Sequence, residues 1–265
     1  MSGPSTAPRR PERARLARIA LAFALLVLFV LAWQAIASLE SVDDLTLASP
    51  VETFDALRDD WSLLIDNARV TLVEVVLGLA LSVVAGMLFA VAMHLVRPLR
   101  DAAYPLLVGS QAIPIVVLAP LFVLAFGYGI GPKLAIVALI CFFPITVNLL
   151  DGLRSAPPEL LKLMRSMGAS RLRTLRSVEL PNALPSLFSG LKVAATVSVI
   201  GAVFGEWAGA DEGLGRLVLL GNTQLQTPRV YAGIVILTAM AVGLFALVAL
   251  AERLAIPWNR KEQTA

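Results

Sequence analysis

The sequence predicts an all-α, polytopic membrane protein with six transmembrane helices and a cytoplasmic segment, rich in cations, between helices four and five. Three observations lead there. First, the 265 residues are 58% hydrophobic and only 15% charged, with a mean hydropathy of +0.80, whereas soluble domains carry about 25% charged residues. Second, six runs approach or exceed the roughly 20 apolar residues that cross about 30 Å of hydrocarbon. Third, the basic residues are concentrated in alternate connections along the chain.

The spans are placed at 17–37, 68–95, 102–126, 133–151, 185–205 and 230–251. Each is expected to be helical, because unpaired backbone groups are costly in lipid and no alternating barrel pattern is present. The first run follows an arginine-rich start and ends near Ala35 and Ala37, as a signal peptide would. Its apolar stretch, Ile19 to Ile36, exceeds the 7–15 residues of an ordinary signal core, which favours a retained span. Residues 1–16 read as an unstructured basic tail and 17–265 as one transmembrane domain. Anionic headgroups would hold such a tail by charge.

Most of the 22 lysines and arginines lie on one side of this topology: in the N-terminal tail, at Arg97 and Arg100, throughout the 153–182 segment, and at the C-terminus. The opposite side is acidic, with Asp43, Asp44, Glu52, Asp55, Asp59, Asp60 and Asp66. The positive-inside rule therefore puts both termini in the cytoplasm. On the acidic side, Ser49-Pro50 opens a short amphipathic stretch. The Gly127-Tyr128-Gly129-Ile130-Gly131-Pro132 sequence reads as a tight turn between spans.

The 153–182 segment reads as two short helices. Pro157, Pro158 and Glu159 suit a helix start, and Leu160, Leu163, Met164 and Met167 then recur on one face. Gly168 supplies a left-handed stop and Ser170 caps a second helix carrying Leu172 and Leu175. Pro181 and Pro185 punctuate the entry to span five. From physics alone the segment fits either a hairpin lying on anionic lipid or a protein-docking site.

Polar residues inside the spans are candidates for a transport pathway. They are Glu74, Gln111, Asn148 and Glu206, of which Gln111 and Asn148 also suit helix–helix hydrogen bonding. His94 reads as an interfacial residue, Pro114 and Pro120 as bends in span three, and Cys141 as a packed small residue. No catalytic or metal-ligating set is apparent, since the chain has one histidine and no Gly-x-Ser-x-Gly. None of its lysines, Lys133, Lys162, Lys192 and Lys261, follows a glycine, so there is no Walker A loop.

Gly168-Ala169, Leu180-Pro181, Pro185 and Gly190-Leu191 fall in the register of a known signature. The segment resembles the cytoplasmic EAA loop of permease subunits in binding-protein-dependent ABC importers. The stretch from Ala112-Ile113-Pro114 to Phe126-Gly127-Tyr128-Gly129, and Gly205-Glu206-Trp207 with Gly213-Leu214-Gly215, are similar to the nitrate, sulfonate and taurine branch. That branch includes importers of thiamine-precursor pyrimidines. The chain departs from the signature at Lys162-Leu163-Met164, where the family has Glu-Ala-Ala, so the usual ion pair with the ATPase would be reversed or absent.

The resemblance implies two permease copies, as a homodimer, that work with two ATPase subunits and an external substrate-binding protein. This chain itself would bind no cofactor, nucleic acid or metal, and ATP would be used by the partners. Contact with the ATPase would fall to Leu160, Lys162, Leu163, Met164 and Arg165 on the first short helix. Met167, Gly168, Ala169, Arg171 and Leu172 would complete it. The implied cargo is a pyrimidine-like heterocycle or a sulfonate- or nitrate-type anion. An ion-coupled secondary carrier, which would explain Glu74, and an intramembrane enzyme are the alternatives.

Overall fold

A computed structural model describes residues 10–39 and 46–257. Their regular structure is helical throughout: α1 (Arg10–Ala37), α2 (Pro50–Asp59), α3 (Trp61–Leu95), α4 (Arg97–Ser110), α5 (Ile115–Phe126) and α6 (Ile130–Arg154), followed by α7 (Pro158–Ser166) and α8 (Arg171–Thr174). A π-helical turn, Leu175–Glu179, leads into α9 (Leu180–Gly209), and α10 (Leu214–Thr223) and α11 (Thr227–Ala255) complete the chain. Residues 1–9 of the basic tail lie outside the described residues, while α1 already begins at Arg10, inside the stretch read as unstructured.

The centre of the bundle is α3, α6 and α9. Pairings along α3 and α6 advance together: Lys133 meets Glu74, Ser82 donates to the Ala138 carbonyl at 3.1 Å, and Thr146 donates to that of Gly86 at 3.4 Å. The two helices are therefore parallel. α9 runs against both, with Gly205 beside Lys133, the Cys141 thiol on the Ala194 carbonyl at 3.3 Å, and Asn182 donating to that of Gly152. Close approach depends on small residues. A β-carbon at Gly190 would come within 2.5 Å of the Pro144 carbonyl oxygen, and one at Gly78 within 2.5 Å of Val137. Cys141 is a buried packing residue, as its apolar context implied.

Parallel α3 and α6 fix the nature of the third span. The chain leaves α3 at one end of the bundle and starts α6 at the other, so α4 and α5 together must cross it. They do so as two helices bent by 105°, not as the single span expected at 102–126. Pro114 lies at the break, because its ring and missing N–H interrupt a helix, whereas Pro120 is accommodated within α5.

The remaining spans are continuous and longer than the apolar runs alone suggested. α3, for example, begins at Trp61. α11 is tied at its start to the α2–α3 junction by Arg229 on Asp60 (2.6 and 3.0 Å), and near its end to α9 by Lys192 on Glu252 (2.6 Å). α1 reaches the Asp60 end of the bundle at Trp33, which donates to the Ala48 carbonyl and stacks near Tyr231. The start of α1, the end of α11 and the 155–179 segment thus share one side, the basic one, and α2 and α10 sit on the acidic side. The amphipathic stretch expected after Ser49-Pro50 is α2, and Ser49 and Glu52 close a reciprocal capping box at its start.

Candidate functional site

On the basic side, α7 stands apart from the bundle core. Leu163 is 55% exposed and Met167 74% exposed, and Leu160 on the same helix is also open; Lys162 and Arg165 are exposed beside them. Met164 is half-buried. Gly168 ends α7 at φ +70°, the Gly168 N–H donating to the Arg165 carbonyl and that of Ala169 to Met164. This is the Schellman stop in which glycine takes the left-handed position. Ser170 then accepts from the Arg173 N–H at 3.3 Å and caps α8, which leaves Arg171 and Leu172 exposed.

The second half of this segment differs from expectation. It is not a separate amphipathic helix, since α8 runs through the π-helical turn directly into α9. Leu175 is buried in the main core, and Pro181 lies in the first turn of α9. Pro181 has no N–H to give and its ring crowds the carbonyl four residues earlier, so the wider π turn sits where an α-turn would clash.

His94 is not a simple interfacial residue. It ends α3 with its side chain only 8% exposed, against Glu179 of the π turn at 3%. The Arg171 guanidinium spans both, Nη1 donating to Glu179 Oε1 at 2.6 Å and Nη2 reaching His94 Nε2 at 2.7 Å. His94 Nε2 also lies 3.0 Å from Glu179 Oε2, so one ring nitrogen faces both the guanidinium and the carboxylate. His94 lies 77 and 85 residues from Arg171 and Glu179, which hid the cluster from a linear reading.

At the opposite end of α3, Glu74 is buried and pairs with Lys133 through Oε1 at 2.6 Å. The partner that a carboxylate at this depth requires is the lysine opening α6, which periodicity gave no means of pairing with it. This ion pair supplies a structural reason for Glu74 and removes the observation that favoured a secondary carrier. One turn away Thr71 donates to Glu206 Oε1 at 2.6 Å. Glu206 Oε2 accepts from the backbone N–H groups of Gly215 (2.5 Å) and Arg216 (3.1 Å), so a buried carboxylate caps the start of α10. Trp207 donates to the Gly215 carbonyl at 2.8 Å. Gly205-Glu206-Trp207 and Gly213-Leu214-Gly215 are thus two halves of one joint, and Gly213 and Gly215 leave the space that the Glu206 carboxylate fills.

A cavity of about 600 Å³ opens on the acidic side, with Glu74 and Lys133 at its base and Arg69, Tyr128, Asp211 and Glu212 around it. Its lining carries both signs of charge. Gln111 lies elsewhere, exposed at the α4–α5 break, where it donates to the Ser110 hydroxyl at 3.3 Å. Asn148 donates within its own helix to the Pro144 carbonyl at 2.7 Å and packs on Gly190. The four candidates therefore do not converge: Glu74 and Glu206 share one cluster, and Gln111 and Asn148 stand apart from it.

Among the described residues five helices are long and apolar enough to cross a membrane, six with the bent α4–α5 pair taken as one span, so the class is a polytopic α-helical membrane protein. Residues 82–257 match the family model described as "Binding-protein-dependent transport system inner membrane component", and the chain belongs to that family. It is 41% identical over 217 residues to the formylaminopyrimidine transport permease protein ThiX of Halalkalibacterium halodurans, covering 82% of this chain and 87% of that one. It is 28% identical over 257 residues to the taurine transport system permease protein TauC of Escherichia coli, covering 93% and 92%. Among solved structures, an amino acid ABC transporter superposes with a TM-score of 0.60 at 20% identity, covering 76% of this chain and 97% of its own, a likeness of fold.

Proposed function

We propose that the chain is the membrane-spanning subunit of an ATP-driven importer and that its 158–178 segment seats an ATPase subunit. The observation that carries this reading is the exposed Leu160, Leu163 and Met167 face on the basic side, bordered by Lys162 and Arg165. An amphipathic turn of this kind fits a groove, with its apolar face as the anchor. Met164, Gly168, Ala169, Arg171 and Leu172 shape and complete the contact. With lysine at position 162, the matching ATPase surface is acidic or uncharged there. ATP is hydrolysed on two partner subunits, a second permease copy completes the pathway, and an external binding protein delivers the solute to the acidic side. Both termini are cytoplasmic.

The α4–α5 break supports placing the second copy and the pathway beside it. Gln111, Ala112, Ile113 and Pro114 are exposed and outside any helix, within a segment that crosses the bundle. Irregular backbone at membrane depth is tolerated only where protein covers it or water lines it. Lipid is therefore excluded from that surface, and Gln111 faces the pathway between the two copies.

The cargo is a small polar heterocycle of the aminopyrimidine type. The relative that transports formylaminopyrimidine supports this over a sulfonate, as does the mixed charge of the outer cavity, where Glu74, Asp211 and Glu212 offset Arg69 and Lys133. An anion would be better served by a cationic excess. The test is uptake of labelled formylaminopyrimidine, with taurine as competitor, by vesicles containing the assembled transporter. Uptake that needs ATP, is blocked by vanadate and ignores taurine is expected; ionophore-sensitive uptake without ATP would overturn the reading.

A further inference from the structure

We infer that His94, with Arg171 and Glu179, forms a joint that makes α3 move with the docking segment; this rests on the reading that the segment seats the ATPase. Three elements meet there: the last turn of α3, the first residue of α8, and the π turn that leads into α9. His94 and Glu179 are almost wholly buried, and the Arg171 fork reaches both, at 2.7 and 2.6 Å. A guanidinium that satisfies a buried carboxylate and a buried imidazole at once fixes the angle between its helix and theirs. Losing one member leaves a buried polar group unpaired, so the cluster resists being opened.

The position of the joint gives it a function. α3 is tied to the chain at both ends of α9: on the basic side through the Arg171 fork that bridges His94 and Glu179, and on the acidic side by Thr71 donating to Glu206. Glu74, paired to α6 through Lys133, lies about 30 Å along α3 from His94 at 1.5 Å per residue. A displacement of α8 is thereby delivered to a helix that lines the outer cavity, as well as to α9, which α8 meets through the backbone. The Arg171 fork is the side-chain link that adds α3 to that motion. His94 is a positioning residue: it acts through Arg171 and touches no substrate.

The test is a distance between spin labels at Val96, just past α3, and Arg173 on α8, in the full transporter on a Cys141→Ala background. Both label sites are exposed, and neither belongs to the apolar docking face. With His94 present, the Val96–Arg173 distance is expected not to shift when ATP and vanadate are added. In His94→Leu it is expected to shift or broaden with nucleotide. His94→Gln, whose amide can accept from Arg171 and donate to Glu179, is expected to restore the native behaviour, which a merely space-filling role would not predict. A nucleotide-dependent shift with His94 intact would overturn the joint, and so would a fixed distance in His94→Leu. The docking reading fails separately, if Leu163→Asp still retains the ATPase on co-purification.

Discussion

Gly168→Val isolates the bend from everything else in the segment. At φ +70° the residue occupies the left-handed region, and a β-carbon built there meets nothing within 4 Å. The cost is therefore one of backbone conformation, with no steric clash. For an L-residue it is roughly 1–2 kcal/mol, and a β-branched one sits at the upper end. That lowers the ratio of bent to unbent segment by about 5–30-fold. Because α7 stands outside the bundle core, the loss stays local: the variant inserts and purifies normally, while ATPase retention and uptake fall by up to that factor. Asparagine tolerates the left-handed conformation, so Gly168→Asn keeps most of both. The assays are membrane abundance, ATPase co-purification and initial uptake rate, measured on all three proteins. Normal uptake by Gly168→Val would refute the reasoning, and so would equal damage by asparagine and valine, which would point to a side-chain contact.

Two further outcomes test the buried charges. Glu74→Leu strands Lys133 in the bundle and costs about 3–5 kcal/mol, whereas Glu74→Leu with Lys133→Met recovers most of that stability; thermal unfolding in detergent reads both, and additive losses would contradict the pair. Glu206→Leu removes the oxygen that accepts from the Gly215 and Arg216 N–H groups and lowers stability by roughly 1.5–3 kcal/mol; an unchanged melting temperature would contradict the capping role.

Much of the fold was legible because lipid imposes long apolar helices and a basic inner face, and both leave linear signals. The Gly168 stop and the Ser170 cap were legible for a similar reason: each is decided within a few residues. What escaped involved partners distant in sequence. Nothing near Glu74 announces Lys133, and nothing near His94 announces Glu179 or Arg171, since those pairings follow from the parallel α3–α6 and antiparallel α3–α9 packing. Glu206 was noticed for its neighbours Gly205 and Trp207, but its role as a helix cap depends on the fold-back at Gly213. The π turn before Pro181 was missed because proline reads as a punctuation mark, while here the helix widens and continues through it.

The central claim is that α7 seats the ATPase. Its most direct measurement is photo-crosslinking from single positions in the assembled, transporting complex. A photoreactive residue at Met167, on the exposed face, is predicted to capture the ATPase, and one at Leu124, exposed on α5, is predicted not to. An active transporter in which Met167 captures no ATPase would contradict the account.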